Sequence, residues 1–240
     1  ALGGVIYLAD EPYANLNKKE IKASTKFETN SMATLNKISY KKSKDNLRFA
    51  VYGGYFSRAN YTIGNSNFFN ISDKQFVTNS KNSGGSFKTA IGYNIKNWIT
   101  NFRYQILYFQ NGLPGHTHDP NPEVSSFLSN NRSRNYTIPA QKIFNHLAQW
   151  ENKFYFKNDE VIAQIGFTSN ELKEFGEKIS IAGIDMTLQN FSHNIRWKHH
   201  FNKHFEIVSG TQGMLQSNTN DKNAEEILVP NSNFNDFGAY

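Results

Sequence analysis

The sequence contains no cysteine among its 240 residues, which excludes a disulfide framework and thiol chemistry. It also lacks any run of roughly 20 apolar residues, the length that a membrane-spanning helix needs. Apolar residues make up 38% of the chain and the mean hydropathy is −0.62, so a bundle of membrane helices is excluded. Residues 1–4 lack the basic start and apolar core of a secretory signal. We therefore expect that the chain begins inside a longer protein or that its signal has been removed.

Motifs for catalysis and for nucleic-acid binding are missing as well. The sequence has no Gly-x-Ser-x-Gly elbow, no phosphate-binding loop and no cysteine nucleophile, so we predict no enzyme and no cofactor. An outer-membrane hydrolase that uses Ser and His is a weaker alternative, because no spacing singles out such a set. The net charge of +6 is spread along the chain, and the one dense basic stretch, 37–44, surrounds a turn. This dispersion argues against nucleic acid as a partner.

Alternation of apolar and polar residues with a period of two dominates the chain, which predicts an all-β protein. In residues 99–109, for example, Phe102, Tyr104 and Ile106 oppose Arg103 and Gln105. Ten strands are predicted after an apolar opening. They are 18–28, 32–42, 47–56, 86–94, 99–109, 142–156, 161–169, 186–199, 205–216 and 233–240.

Alternation and an aromatic content of 15% fit two kinds of protein. A soluble β-sandwich has one apolar and one polar face on each strand. A membrane barrel has the same alternation, with aromatic girdles at both interfaces. Neither feature separates the two.

The connections between the predicted strands do separate them. From the second strand onward, tight links (43–46, 95–98, 157–160 and about 200–204) alternate with long ones (57–85, 110–141, 170–185 and 217–232). Only the link near 29–31 breaks this rule. Outer-membrane barrels combine short periplasmic turns with long extracellular loops, whereas a Greek-key sandwich has no reason to keep the alternation. We therefore predict an antiparallel up-and-down transmembrane β-barrel.

Several short motifs carry a resemblance to a known family. They are Ala1-Leu2-Gly3-Gly4-Val5-Ile6-Tyr7-Leu8, Gly112-Leu113-Pro114-Gly115, Asn145-His146-Leu147 with Trp150-Glu151-Asn152, Gln212-Gly213-Met214, and Glu225-Glu226-Ile227-Leu228-Val229-Pro230 followed by Asn235-Asp236-Phe237-Gly238. In order and spacing they resemble TonB-dependent outer-membrane receptors of the Bacteroidetes type, and the resemblance covers essentially the whole chain.

The resemblance implies a 22-stranded barrel closed by an N-terminal plug domain. Residues 1–16 would be the end of the plug and a linker, and residues 17–240 the N-terminal part of the barrel. Ten strands alone would leave two unpaired edges in lipid, so we expect further sequence at both ends. The implied location is the bacterial outer membrane. The implied partners are outer-membrane lipid, TonB through a segment outside this chain, and a scarce cargo such as a ferric siderophore or another metal complex.

One loop motif is a candidate for binding that cargo. His116, His118 and Asp119 provide two imidazoles and a carboxylate within four residues, a donor set that suits a metal or metal chelate. Receptors of the resembled family often carry His- and acid-rich loops after a similar Leu-Pro-Gly. The alternative is an exposed polar loop in which two histidines happen to lie close together.

Other candidate residues are predicted on the strands, facing the lumen. Arg103, Lys88, Glu151, Lys153 and Arg196 would bind an anionic cargo or anchor the plug, and Tyr52 would stack on a ligand. The remaining histidines are predicted to be interfacial. His199, His200 and His204 flank a tight turn, and His146 and His193 lie on apolar faces.

Two alternatives to an energised receptor stay open at this point. One is a passive binding or structural outer-membrane barrel, such as an adhesin or an assembly subunit. The other is a soluble carbohydrate-binding β-protein, which would dissolve without detergent.

Overall fold

The computed structural model describes residues 13–64, 76–114, 127–176, 178 and 180–240. These residues form twelve strands and no helix, and accordingly none of them belongs to a helix long and apolar enough to cross a membrane. The strands are β1 Lys19–Glu28, β2 Ala33–Lys44, β3 Leu47–Arg58, β4 Phe76–Val77, β5 Asn82–Ile95, β6 Trp98–Gly112, β7 Leu128–Ser129, β8 Ala140–Tyr155, β9 Asp159–Phe175, β10 Ile184–His200, β11 Glu206–Asn220 and β12 Ser232–Ala239.

Ten of these strands form one antiparallel sheet in the order in which they follow along the chain, β1-β2-β3-β5-β6-β8-β9-β10-β11-β12. Each long strand therefore pairs with its sequence neighbour, which is an up-and-down topology. β1 and β12 do not pair with each other, so the described sheet is open rather than closed into a barrel. β4 and β7 form a separate two-stranded ribbon in the long links.

The ten strands predicted from alternation are confirmed, and most of them are longer than predicted. β9, for example, continues to Phe175, well past the predicted end at residue 169. The polar stretch from Ser169 to Lys173 lacks apolar alternation, yet it keeps its backbone pairing with β8 and β10. Because ladder hydrogen bonds do not require an apolar side chain, strand ends were underestimated wherever alternation fades.

Tight and long connections lie at opposite ends of the sheet, as predicted. Two-residue turns join β2 to β3 and β5 to β6, and in them Asp45 (φ 50°) and Lys96 (φ 30°) adopt left-handed backbone conformations. Residues 156–158 and 201–205 make the other two tight links. The links at the opposite end are 59–81, 113–139, 176–183 and 221–231, and the short β1–β2 turn at 29–32 is the expected exception. The link 176–183 is shorter than the predicted 170–185, because β9 and β10 both extend into that range.

The register places like side chains together, so that the sheet has one polar and one apolar face. The polar face carries the even-numbered residues of β1, β3, β5, β9, β10, β11 and β12 and the odd-numbered residues of β2, β6 and β8, as the strand pairings show. The apolar face carries the others. Large side chains on the apolar face are exposed, for example Phe87 (45%), Trp150 (47%) and Phe237 (67%).

Burial in the described sheet is shallow. The buried apolar side chains are alanines, apart from Phe175. The accessible surface of the chain is 16182 Å², whereas a compact protein of this mass would expose about 11,000 Å². The sheet therefore lacks a core of its own on either side.

Candidate functional site

The polar face collects the strand residues that the sequence singled out for binding. Arg103, Lys88, Glu151, Lys153 and Arg196 all lie on it, as does Tyr52. This placement follows from alternation, because a strand with one apolar face must direct its other side chains to the opposite face. The sequence thus predicted the face of each of these residues, but not which of them are neighbours.

Tyr52 lies at the centre of a cluster of lysines. Lys88 is its direct partner on β5, and Lys41 lies two residues further along β2, on the same face. The Nζ atoms of both lysines are 5.8 Å from the centroid of the Tyr52 ring. Lys41 is only 3% exposed although it lies in a face of polar residues. The ring is therefore flanked by two ammonium groups within cation–π distance.

Arg103 lies near this cluster rather than in contact with the Tyr52 ring. It is paired with Ala90 on β5 and Gln149 on β8, and its Nη1 is 3.5 Å from the side-chain oxygen of Gln149. β5 separates it from Tyr52. Arg103 and Tyr52, both predicted to bind ligand, thus lie on the same face of the sheet with one strand between them.

Charge is distributed unevenly over the polar face. The β1–β6 half carries more basic than acidic side chains, and the β8–β12 half carries more acidic than basic ones. In the first half the residues are Lys22, Lys26, Lys37, Lys41, Arg48, Arg58, Lys88 and Arg103 against Glu20 and Glu28; in the second they are Lys153, Arg196 and Lys198 against Glu151, Glu160, Glu174, Glu206 and Asp236. The amino-terminal half of the polar face is consequently suited to anions.

The carboxy-terminal half of the polar face is rich in amides. It contains an open hollow of about 380 Å³ whose polar lining includes Gln149, Gln164, Asn194 and Gln212. Several asparagine side-chain oxygens on this face are inaccessible and have no hydrogen-bond partner among the described residues; they belong to Asn145, Asn190, Asn194, Asn218 and Asn220. Buried polar atoms in native proteins are generally paired, so these oxygens are exceptions. The hollow offers further amide groups, those of Gln149, Gln164 and Gln212, to a polar partner.

Residues 127–139 form a strap across the long-link end of the sheet, which the sequence did not predict. The Arg132 guanidinium lies over the ring of Phe76 and donates to the Thr62 hydroxyl at 2.8 Å. Arg134 donates to the Ser57 hydroxyl at 2.8 Å and to the Met32 carbonyl. The strap thereby ties the β3–β5 link to the β1–β2 turn. No sequence signal marks it except that its two arginines are the only charged residues of 127–139.

The strap also covers titratable groups at its carboxy-terminal end. Lys81 is 3% exposed and its Nζ lies 3.3 Å from the Thr137 hydroxyl. Burial lowers the pKa of this ammonium group. Tyr136 donates to the Gln110 carbonyl at 2.8 Å, and burial raises the pKa of its phenol, with a hydrogen bond to Ser83 acting in the opposite direction.

The predicted metal loop, His116, His118 and Asp119, lies outside the described residues. In the part of the chain that the structure describes, no group of three or more His, Asp or Glu side chains could hold a metal. His199 and His200 pair with different acids, Asp159 at 2.8 Å and Glu206 at 3.3 Å, as expected for neighbours on opposite faces of a strand.

His146 and His193 lie on the apolar face, where the alternation placed them. The His146 Nδ1 is 2.7 Å from the Tyr104 hydroxyl, and its ring packs edge-on against Phe144. His193 lies 6.1 Å from the ring of Phe237. Both histidines are therefore members of an aromatic surface.

Comparison of the sequence with protein-family models and with curated protein sequences gives no match.

Proposed function

We propose that this chain is part of a transmembrane β-barrel in a Gram-negative outer membrane, and that the barrel is a TonB-dependent receptor for active uptake of a scarce nutrient. The observation that carries the membrane part is the exposed apolar face of the ten-stranded sheet. Phe87, Phe102, Trp150, Phe191 and Phe237 are each at least 43% exposed. Monomeric soluble proteins rarely expose apolar patches beyond a few hundred Å². Lipid covers such a face without a specific partner.

The tryptophans support a position for the membrane boundary. All three lie on the apolar face in the half of the sheet nearer the tight turns. Each indole N–H donates to a side chain of the neighbouring strand: Trp98 to Asn152 (3.1 Å), Trp150 to Thr100 (2.9 Å) and Trp197 to Asp159 (2.7 Å). Apolar rings with satisfied polar tips are typical of the interface between lipid and water. The tight-turn end would then be periplasmic.

The polar face supports a filled lumen rather than an open aqueous pore. Its hollow in the carboxy-terminal half is lined by amide side chains, such as those of Gln149, Gln164 and Gln212, which can hydrogen-bond to another polar surface. In the resembled family a plug domain supplies such a folded polar surface inside the barrel. The resemblance of residues 1–8 to the end of such a plug agrees with this arrangement. At rest the plug would block the pore, and TonB would remodel it to admit cargo.

The cargo we propose is a ferric siderophore or another metal complex. The basic half of the polar face around Lys41, Tyr52 and Lys88 suits a negatively charged chelate. The loop motif His116-Thr117-His118-Asp119 would contribute donors at the extracellular side.

Uptake by cells that depend on the full-length protein tests the proposal. Growth and cargo accumulation would be compared on defined iron, zinc, copper and glycan sources, with and without a protonophore. We expect one metal complex to support growth, and its accumulation to stop when the proton gradient is dissipated.

A His116→Ala/His118→Ala double variant would lower that uptake by roughly tenfold or more, in the range found when metal-site residues are removed. The matched control is His200→Ala/His204→Ala, which removes two histidines at the tight-turn end and should leave uptake unchanged. Accumulation that survives the protonophore would instead identify a passive barrel. Normal metal uptake by the loop variant would remove the loop from the binding site.

A further inference from the structure

A hollow on the polar face lies between Tyr52 on the tight-turn side and the pair Phe56 and Phe109 on the long-link side. Gly54 on β3 and Ser86 on β5 are direct partners at its centre, and a Cβ atom at Gly54 would lie 2.8 Å from the Ser86 hydroxyl oxygen. Lys37 on β2 and Leu107 on β6 lie on either side of this pair. Because the two central residues contribute almost no side chain, an open space of about 120 Å³ remains above the backbone.

Aromatic rings form the walls of this hollow. On the long-link side, Phe56 and Phe109 approach each other across Gly84 with their ring centroids 5.8 Å apart. On the tight-turn side lies Tyr52, two residues from Gly54 on the same strand face. Leu107 completes a surface that is mostly apolar. A planar apolar group inserted over Gly54 and Ser86 would contact the rings of Phe56 and Phe109.

Positive charge surrounds this apolar hollow. A second hollow of about 270 Å³ adjoins it, shares Lys37, Gly54 and Ser86 with it, and is also lined by Lys22 and Tyr52. Lys41 and Lys88 lie against the Tyr52 ring. The strands β2, β3, β5 and β6 contain no acidic residue at all. On β1, Glu20 pairs with Lys22 at 3.8 Å. An anionic group entering the second hollow would therefore meet Lys37 and the lysines around Tyr52, and no carboxylate from β2, β3, β5 or β6.

We infer that the two hollows together form a binding site for a small amphipathic anion, whose planar aromatic part lies over Gly54 and Ser86 and whose negative group enters the second hollow beside Lys37, in the field of the lysines around Tyr52. The aromatic side chains favour a ligand with a planar aromatic ring, and the excess of lysines favours one with a negative charge. The larger amide-lined hollow in the other half of the face has no lysine in its lining and includes Asp236, so it does not share this preference.

Titration calorimetry of the full-length protein in lipid nanodiscs tests the site, with 2-naphthoate as the probe and the uncharged 2-naphthalenemethanol as its neutral counterpart. Charge-assisted contacts would make the anion bind about tenfold more tightly than the alcohol. A Lys37→Gln/Lys88→Gln variant would lose most of this preference for the anion, because it keeps the hollow and removes two of the four lysines around it.

Two glycine variants separate a site effect from a folding effect. Gly54→Leu fills the hollow and would weaken 2-naphthoate binding by about tenfold or more. Gly166→Leu is the matched control, because a Cβ at Gly166 would likewise lie 2.8 Å from a serine hydroxyl, that of Ser192, in the other half of the same face. It should change the affinity by less than about twofold.

Equal affinities for the two probes, or equal losses in the two glycine variants, would overturn the inference. Should Gly54→Leu not fold, the lysine double variant decides the question by itself. The site rests on the polar face being the ligand-bearing side of the proposed receptor, but the titration needs only a folded sheet. Binding without energised uptake would thus reject the proposed transport and keep the site, and uptake without naphthoate binding would do the reverse.

Discussion

Lys81 shows how a single residue acquires a role that its sequence position does not reveal. In the sequence it is one of many lysines between two polar stretches. In the structure the strap covers it, and its ammonium group lies next to the hydroxyl of Thr137, which itself donates to Asn79 at 3.1 Å. Burial disfavours the charged form and lowers the pKa from its ordinary value of 10.5.

The lowered pKa predicts a specific dependence of stability on pH. The unfolded chain binds this proton more tightly than the folded protein does, so the unfolding free energy should rise as the pH increases from the lowered pKa towards 10.5. Lys81→Met keeps the length of the side chain and removes the titration. Between about pH 7 and about pH 9.5, below the titration of Tyr136, wild type should gain stability relative to this variant.

Denaturant unfolding at a series of pH values measures this difference. Lys203→Met, at an exposed residue of a tight link, is the control, and its curve should run parallel to that of wild type. Parallel curves for wild type and Lys81→Met would show that the Lys81 proton is not linked to folding.

At the scale of elements, the strap at 127–139 depends on arginine geometry. Arg134 uses two guanidinium nitrogens for two acceptors on different segments, Ser57 and Met32. A lysine offers one nitrogen and cannot reproduce this fork. Arg134→Lys should therefore loosen the strap while leaving the charge and the ten-stranded sheet unchanged.

Hydrogen exchange measures the loosening directly. Backbone amides of Asn60 and Thr78 donate to Ser133 and Phe127 of the strap. In Arg134→Lys they should exchange roughly fivefold faster, which corresponds to about 1 kcal/mol for an exposed charge-assisted contact. Arg196→Lys is the control, because it alters a 2.7 Å ion pair with Glu160 between β9 and β10, far from the strap in sequence. It should leave the exchange of these amides unchanged. Identical exchange in the two variants would show that the contacts of Arg134 do not hold the strap in place.

The same scale shows which features of the fold could be predicted from sequence. Alternation located the ten long strands and the face of each predicted binding residue, because side chains of a strand point alternately to its two sides. It did not locate β4 and β7, since two-residue strands have no period. Alternation also did not predict which residues are paired on adjacent strands. That register depends on the geometry of the turns, for example on the left-handed backbone of Asp45 and Lys96. The hollow at Gly54 and Ser86 exists only in the paired sheet, so it could not be predicted.

At the scale of the whole molecule, the two faces pose different requirements. The polar face needs water or a polar partner, because its strands present amide and charged side chains such as those of Gln149, Gln164 and Lys88. The apolar face needs a medium that accepts rings of Phe, Trp and Tyr without polar contacts. If a second sheet of a soluble protein covered the apolar face, the face would contact apolar side chains along its whole length. A bilayer instead predicts a gradient, with polar-tipped rings near its boundary.

The three tryptophans allow that gradient to be measured. Trp98, Trp150 and Trp197 lie on the apolar face, and each indole N–H has a hydrogen-bond acceptor on a neighbouring strand. In bilayers of brominated phospholipids, we expect their fluorescence to be quenched more strongly by bromines placed near the headgroup than by bromines near the chain ends, because indoles prefer the interfacial region. A Trp150→Phe/Trp197→Phe variant reports on Trp98 alone and should keep the same order of quenching. If neither brominated lipid quenches the fluorescence and the protein stays folded without detergent, then protein rather than lipid covers the apolar face.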